Sequence, residues 1–558
     1  MTTALRNATR GTTLADSVEA PAGRRGSLLG LMGRASLPVG HCLLLPGTRG
    51  VQTHFMRFAI DVIFYGRDGT VLDVVRGLQP WRFSSFLRQA AGALELPAGA
   101  ADGTFPGDVL QLAEDDQEPQ GLSVVPGRLE RMLTWKRSGS YAGFVGLIFL
   151  AAWAYSTFAG TAPLTRAGEP IMGDYVAFYA AGRMVLTGSG ANIYDPTAVR
   201  QAQAEATQGQ VADLYDPLRN PPFVALAFAP LALLDPLPSF VVWSLINLLA
   251  LAAAMWLTLD TLPSLRRHWP WIALIALAFA PVYRGLIGGQ NANLSLLLFV
   301  LIYRAVRQQH HARAGGWAAI GLFKPQLFLV FPIIFAASRR WRALAVYALV
   351  ATGLGLVSLA VIGGPAGIPA WISVIVDHES GNALRNAYRM HSLKAFFDLL
   401  LPGQSGLALG LYLLGSLALL VPLARLWTNP PGSDAAVSLR WALTSVVAVL
   451  IDPHLIDYDL TVLVLAALLL GAAHASGRVW VLVFYLVSLF ALLFDLRLPY
   501  AGVQVQITVP VLVMFAGWTW RELARLDVRP AQSRLAAVHP GTPTTSPVTR
   551  PSTAFAGD

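Results

Sequence analysis

The sequence has few charged residues and almost no cysteine. Of its 558 residues, 13% are charged, whereas soluble domains carry about 25%. The single cysteine, Cys42, excludes an intramolecular disulfide and a cysteine-based metal cluster. The first 20 residues lack an apolar stretch, so we expect no signal peptide. Hydrophobic residues, in contrast, make up 54% of the chain, which indicates an integral membrane protein.

The net charge of +9 is distributed as in membrane proteins. Basic residues concentrate in the short linkers between apolar runs, which is the positive-inside pattern, and we therefore expect no nucleic-acid partner. Four basic residues within 128–137 precede the first apolar run, and three arginines within 521–529 follow the last one. This predicts a multi-pass protein of the cytoplasmic membrane, with its N-terminal domain and C-terminal tail in the cytoplasm.

Composition divides the chain into four parts. Alternating apolar runs around Arg67-Asp68-Gly69 predict a β-hairpin, and hence a small, mostly-β soluble domain. Long, closely spaced apolar runs follow and predict a multi-span α-helical membrane domain. The expected parts are a disordered N-terminus over 1–26, the soluble domain over 27–125, the membrane domain over 138–522 and a disordered tail over 523–558.

Threading the apolar runs by their flanking charges brings four polar elements to the outer side of the membrane. They are the loop that contains Asp174, the turn at Gln290, the loop 364–403 and the polar stretch 452–459. The segment 314–338 has basic residues at both ends and a break at Lys324-Pro325. We expect a re-entrant pair of short helices there, with an ordinary span as the alternative.

Asp174 is the first candidate for chemistry. It precedes Tyr175, Phe178 and Tyr179 at helical spacing, so we expect an interfacial helix with the carboxylate at its N-terminus. A carboxylate in that position can act as a general base, and Tyr175 is a candidate for donor binding. The alternative is that Asp174 simply caps the helix.

His454 is the second candidate. It lies near Asp457 and Asp459, between two apolar runs, and a histidine titrates close to neutral pH. Asp459 is also a candidate for donor binding. Carboxylates and histidine suit Mg²⁺ or Mn²⁺, but no metal-binding spacing is present, so no cofactor or metal is expected and a divalent metal remains an alternative. A polar cap between two spans is the plain structural explanation.

Cations and amides complete the set of candidates. Lys324, Arg385, Arg389, His391 and Lys394 could bind a lipid phosphate, and a solvated loop surface is the alternative for each loop arginine. Gln290 and Asn291 could donate hydrogen bonds to sugar hydroxyls, or merely cap the following span.

These residues carry a family resemblance. The pieces, in order, are Asp174-Tyr-Val-Ala-Phe-Tyr179, Asn220-Pro-Pro222, Gly289-Gln-Asn291, Lys324-Pro325, His391-Ser-Leu393 and Asp452-Pro-His454. Residues from about 140 to 520 resemble glycosyltransferase family 87, the polyprenyl-phosphate-mannose-dependent mannosyltransferases with the class C fold. The resemblance implies that Asp174 is the catalytic base and that His454 lines the same site. It also implies a polyprenyl-phosphate donor that is used without a nucleotide.

The N-terminal part resembles a different family. The matching pieces are Gly30-Leu-Met32, His54-Phe-Met-Arg57, Leu94-Glu-Leu96 and Gly107-Asp108. Residues 27–114 resemble the domain of unknown function 192. We expect a compact, mostly-β domain there, and a regulatory or scaffolding role is our own expectation and not part of the resemblance.

The combined expectation is a membrane hexosyltransferase. It would move a hexose, mannose in the first instance, from polyprenyl phosphate to a lipid or glycan acceptor at the extracytoplasmic face, with inversion. A transporter or flippase of a lipid-linked sugar is the alternative, but transporters place their charges near the bilayer midplane, where only Lys324 is expected. A purely structural anchor for the N-terminal domain would not need clustered outer acids.

Overall fold

A computed structural model describes residues 3–19, 31, 34–114, 120–121, 134–211, 214–376, 389–473, 477–493, 497–498, 503–504 and 506–538. The chain forms two compact units, Met1–Met132 and Leu133–Asp558.

The first unit is built from β-strands. They are β1 Thr3–Asn7, β2 Thr12–Ala15, β3 Ser17–Glu19, β4 His41–Pro46, β5 Ile60–Tyr65, β6 Val71–Leu78, β7 Gly92–Pro97, β8 Leu110–Glu114 and β9 Gln120–Gly121. A five-stranded sheet has the order β3-β4-β7-β5-β6, and a four-stranded sheet has the order β2-β1-β8-β9. The predicted β-domain is thereby confirmed. Strands β5 and β6 pair antiparallel across Arg67-Asp68-Gly69, which confirms the predicted hairpin.

Strand β5 is buried along its whole length because it separates two hydrophobic cores. Successive side chains of a strand point to opposite faces. Ile63 and Tyr65 therefore enter one core, while Ile60, Val62 and Phe64 enter the other. This is why the segment is apolar at nearly every position and not only at alternate ones.

The first unit begins earlier than the sequence indicated. Strands β1 to β3 lie within residues 3–19, in the stretch assigned to a disordered N-terminus. Leu5 is fully buried and pairs with Leu112 of β8. A five-residue strand is too short to show a clear residue pattern, and its partner lies about a hundred positions away. The pairing therefore could not be predicted from local periodicity.

Glu95 of β7 should make the stability of the first unit depend on pH. Its side chain is 3% exposed, and burial raises its pKa to about 7, opposed by Arg34. The fold therefore favours the protonated form of Glu95. The contribution of this group to the free energy of unfolding is fully present below its pKa in the unfolded chain, near 4.3, and is lost as the pH rises through 7. The free energy of unfolding of the wild type should fall by about 3 kcal/mol across that range, and Glu95→Gln should abolish this decline.

The thiol of Cys42 offers the measurement, because it is buried on neighbouring β4 and becomes reactive when the unit unfolds. Urea midpoints from thiol labelling of the full chain would be compared at each pH. The control is Asp68→Asn, in the exposed hairpin turn, which should keep the wild-type profile. A Glu95→Gln profile identical to that of the wild type would contradict this account.

The second unit is helical. Its helices are α1 Trp135–Phe158, α2 Tyr175–Leu186, α3 Pro196–Ala206, α4 Phe223–Phe228, α5 Pro236–Asp260, α6 Pro263–Arg266, α7 Trp269–Leu277, α8 Ala280–Ile287, α9 Ala292–Arg307, α10 His311–Ile320, α11 Pro325–Phe328, α12 Val330–Ala337, α13 Trp341–Val361, α14 Pro365–Val376, α15 Leu393–Leu400, α16 Ser405–Thr428, α17 Asp434–Ile451, α18 Leu463–Ala473, α19 Gly477–Leu493 and α20 Thr508–Val538. A 3-10 helix, Asp457–Val462, precedes α18, and Arg497–Leu498 pairs with Val503–Gln504 in a short ribbon.

Five of the described helices, α1, α5, α13, α16 and α17, are long and apolar enough to cross a membrane. The pair α7 and α8, bent by 61°, would make a sixth span. The multi-pass helical architecture predicted from the sequence is thereby confirmed. Helix α17 is the central one, since 83% of its residues are buried within the protein.

One segment has the break that the sequence predicted, and one helix extends farther than the sequence indicated. The run 314–338 is divided into α10, α11 and α12, with the break at Lys324; that it is re-entrant stays a prediction. Helix α20 continues to Val538, beyond the start of the tail expected to be disordered from 523. Glu522 and Arg525, one turn apart, form an ion pair of 2.7 Å on that helix, and such pairs support it.

A glycine allows α10 and α13 to pack closely. A Cβ atom on Gly315 would lie 2.0 Å from the carbonyl oxygen of Ala343. Gly315→Ala should therefore push the helices apart and cost about 1–3 kcal/mol. The adjacent Gly316 is the matched control, because its Cβ would meet only Val346, at 3.9 Å.

Thermal unfolding in detergent would test this pair of variants. Gly316→Ala should be neutral or slightly stabilising, because alanine is the better helix former. Equal melting temperatures for the two variants would contradict the close contact at Gly315.

Candidate active site

Loops at the ends of several helices enclose a cavity of about 740 Å³. Its wall contains six of the residues selected from the sequence, namely Asp174, Gln290, Lys324, Lys394, His454 and Asp459. Three of the polar elements expected on the outer side, the Asp174 loop, the Gln290 turn and the stretch 452–459, thus meet at one cavity. The loop 364–403 contributes Trp371, Ile375 and Val376 as well.

Asp174 stands at the N-terminus of α2 but does not cap it. Its side chain makes no capping hydrogen bond, and its Oδ2 instead accepts one from Nε2 of Gln290 at 2.8 Å. The neighbouring backbone explains the approach. Gly173 has a φ of 53°, and a Cβ at that position would lie 2.9 Å from Cα of Gly288. Two glycines in contact therefore bring the two loops, and their side chains, together.

Tyr175 lies behind the cavity wall. Its hydroxyl is 2.6 Å from Oγ of Ser239, and its ring stacks on Trp243 with the centroids 6.1 Å apart. Nε1 of Trp243 in turn donates to the carbonyl of Gly289 at 2.7 Å. The aromatic residues after Asp174 thus pack against α5 and fix both the start of α2 and the Gln290 turn.

Lys324 lies at the break between α10 and α11, and it lines the cavity. Its Nζ donates to Oδ1 of Asp459 and lies 5.0 Å from the centre of the Tyr458 ring. Both members of the ion pair are buried. Burial raises the pKa of Asp459, while the charge of Lys324 holds it down.

His454 is positioned by a local turn. Oδ1 of Asp452 accepts a hydrogen bond from the backbone nitrogen of His454 at 2.8 Å, and Pro453 between them restricts the backbone. Asp452 is almost fully buried, whereas the His454 side chain lines the cavity.

Asp216 and Arg219 line the same cavity and were missed in the sequence. Nη2 of Arg219 donates to Oδ1 of Asp216 at 2.9 Å, and Gln203 exchanges two hydrogen bonds with the Asp216 backbone. Burial, together with the negative charge of Asp174, raises the pKa of Asp216 to about 6. The positive charge of Arg219 acts in the opposite direction. The short polar run before Asn220-Pro221 was the available signal.

Other selected residues lie outside the wall. Arg389 donates from Nε to Oδ2 of Asp457 at 3.2 Å and from Nη2 to Oδ1 at 3.4 Å. Nη2 of Arg284 also lies 3.5 Å from Oδ2 of Asp457. His391 is buried, with Nδ1 3.0 Å from Oγ1 of Thr508, and burial lowers its pKa to about 4. Asn291 is buried at the start of α9. Arg385 is outside the described residues.

The charges in the described wall are arranged in pairs, with one exception. Arg219, Lys324 and Lys394 each contact an aspartate, the last at 2.7 Å from Asp398. Among the residues that the structure describes, Asp174 makes no ion pair and has the Gln290 amide as its hydrogen-bond donor. Its carboxylate is therefore the one best placed to accept a proton from a bound molecule.

No group of three histidine, cysteine, aspartate or glutamate side chains suited to a metal ion occurs in the described parts of the chain. That the protein works without a metal or cofactor stays a prediction.

Residues 219–453 match the profile of glycosyltransferase family 87, and residues 6–112 match the family described as Uncharacterized ACR, domain of unknown function 192. Both predicted resemblances are thereby confirmed, and the membrane unit carries a glycosyltransferase domain. The first matched span contains Gln290 and Lys324, His454 directly follows its last residue, and Asp174 lies well before its first.

No curated protein matches the chain. Two solved structures align with a fifth of it. A protein of unknown function from Novosphingobium aromaticivorans DSM 12444 is 19% identical over 20% of this chain and 82% of its own, with a TM-score of 0.18. A putative transcription regulator from Sinorhizobium meliloti 1021 is 28% identical over 20% and 91%, also with a TM-score of 0.18.

Proposed function

We propose, on the basis of the glycosyltransferase family 87 domain at residues 219–453, that this membrane glycosyltransferase moves a hexose from polyprenyl phosphate to a hydroxyl group of a lipid or glycan. The reaction would take place at the extracytoplasmic face of the cytoplasmic membrane and would invert the anomeric centre. Mannose is the first sugar to test, because the resemblance of the motifs points to it.

The observation that carries this proposal is the state of Asp174. It is a carboxylate in a cavity wall, held by an amide and not by a cation, at a position that the Gly173–Gly288 contact fixes. A general base must be deprotonated and lie within hydrogen-bond reach of the proton that it removes. The Gln290 amide orients this carboxylate through a hydrogen bond to Oδ2, and no cation among the described residues is paired with it.

In the proposed reaction the acceptor hydroxyl attacks the anomeric carbon while Asp174 takes its proton. The new bond joins the acceptor oxygen to the anomeric carbon, and the bond from that carbon to the phosphate oxygen breaks. The leaving polyprenyl phosphate keeps the electron pair of the broken bond. A single displacement of this kind inverts the configuration, as one base acting on one face requires.

The leaving phosphate needs cations, and the cavity offers Arg219, Lys324 and Lys394, with His454 as a further donor. Each of the three cations is held by an aspartate in the structure. Charge-assisted hydrogen bonds to phosphate are strong enough to compete with such pairs. Donor binding would therefore exchange at least one aspartate partner for a phosphate oxygen.

Transfer from a defined donor tests the proposal. The full chain would be reconstituted in vesicles with radiolabelled polyprenyl-phosphate mannose and, separately, with a labelled nucleotide mannose. We expect labelled lipid or glycan product from the first donor and none from the second. Transfer from the nucleotide sugar would overturn the donor class. Labelled donor lipid that crosses the bilayer without transfer would favour the flippase alternative.

A further inference from the structure

Two loops of the first unit join at one end of the β5–β6 hairpin. They are residues 49–58, before β5, and residues 79–88, after β6. Gln52 pairs with Phe83 in an isolated antiparallel bridge, and the nitrogen of Val51 donates to Oγ of Ser84 at 2.8 Å. The buried Oγ1 of Thr53 donates to the carbonyl of Gln79 at 2.7 Å. The loops thus form one surface.

This surface carries four exposed aromatic side chains, which we call the aromatic platform. Phe55, Trp81, Phe83 and Phe86 are 66%, 57%, 73% and 69% exposed. Phe55 and Trp81 are in edge contact with their centroids 4.7 Å apart, and the ring of His54 lies 4.6 Å from that of Phe83. Clustered exposed apolar groups of this kind mark an interaction site.

The backbone of the platform is strained in a way that presents the rings. Phe55 and Trp81 both have a φ of 63°, a left-handed conformation that bulky residues rarely adopt. Such strained conformations persist only where the surroundings hold them, often at functional sites. Here the Thr53 bonds, with a second one to the carbonyl of Arg82 at 3.1 Å, hold the two loops in place.

The charge of the platform has one sign. Neither 49–58 nor 79–88 contains an aspartate or a glutamate, and together they contain Arg49, Arg57, Arg82 and Arg88. All four arginines are exposed. The acidic side chain bonded to these loops is Asp73, whose Oδ2 accepts from Oγ of Ser85 at 3.2 Å.

We propose that the aromatic platform inserts into the headgroup region of an anionic lipid bilayer. Aromatic rings beside arginines are the composition of membrane-interface surfaces, where the rings enter the headgroup layer and the arginines meet lipid phosphates. The chain also keeps a bilayer within reach. Strand β9 ends at Gly121 and the membrane helix α1 begins at Trp135, a connection that spans at most about 50 Å.

A fluorescent probe on the platform tests this in the full chain. Cys42→Ser removes the single native thiol, and Phe83→Cys then carries a bimane label. The protein would be placed in nanodiscs of phosphatidylcholine, with or without phosphatidylglycerol, and with doxyl-labelled lipid as a quencher. We expect a blue shift and quenching at position 83 that increase with phosphatidylglycerol.

The matched control is a bimane at Arg67→Cys, in the exposed turn at the opposite end of the hairpin, where neither change should occur. Adding Arg82→Gln and Arg88→Gln to the labelled platform should remove the dependence on phosphatidylglycerol. A probe at position 83 as accessible to water as the one at 67 would overturn the proposal. A blue shift without lipid quenching would mean that protein covers the platform, and it would overturn the proposal too.

Discussion

Asp174→Asn should reduce glycosyl transfer by about 10²–10⁴-fold, which is the usual contribution of a general base. The two side chains have nearly the same shape, and the amide of Gln290 can donate to an asparagine oxygen as it does to the carboxylate. The site should therefore keep its geometry while losing its proton acceptor. Initial rates with polyprenyl-phosphate mannose, at matched levels of folded protein, would measure the effect.

Asp216→Asn is the control for this experiment. Asp216 faces the same cavity, but Arg219 binds its Oδ1, so its carboxylate is less available than that of Asp174 to take the proton of the acceptor hydroxyl. We expect it to lower transfer by much less than Asp174→Asn does. If Asp216→Asn abolishes transfer and Asp174→Asn does not, then the base is Asp216.

Lys324→Met should destabilise the membrane unit by about 3–5 kcal/mol, because it leaves the carboxylate of Asp459 buried without its partner. The pair is almost completely shielded from solvent. Removing both charges in Lys324→Met/Asp459→Leu should restore most of the lost stability, since a buried ion pair is often replaceable by apolar groups of similar size.

Lys394→Met provides the comparison for Lys324→Met. Lys394 also lines the cavity and binds an aspartate, but that pair is about a quarter exposed, so its loss should cost at most about 1 kcal/mol. Melting temperatures in detergent would rank the variants. Equal losses for the two single variants, or a double variant no more stable than Lys324→Met, would refute the assigned cost of the unpaired carboxylate.

The sequence predicted the architecture because long apolar runs and alternating strands are local patterns. It also selected Asp174, Gln290, Lys324 and Asp459, since polar residues beside apolar runs are conspicuous. It could not predict their pairing. Gln290 reaches Asp174 across 116 positions, and Lys324 reaches Asp459 across 135. The periodicity of a helix or a strand relates only residues that are close in sequence, so it could not predict either contact.

Asp216 and Arg389 show the two directions in which sequence reasoning failed to define the cavity. Asp216 lies in a short polar loop with no apolar contrast around it, and its importance depends on burial by distant segments. Arg389 has the right chemistry for a phosphate, but the fold places it outside the described cavity wall, against Asp457, and its part in donor binding stays a prediction. Side-chain direction and burial decided both cases, and neither is encoded in local spacing.

The paired charges of the cavity have a consequence for what can occupy it. A small free anion, such as inorganic phosphate, would have to break an existing aspartate pair and would only replace one charge-assisted contact with another, with no further burial energy. A lipid phosphate brings a long apolar chain whose own burial can offset that exchange. The resting cavity would thus ignore the abundant small anions of its surroundings and admit a phosphate only when it arrives attached to a hydrocarbon.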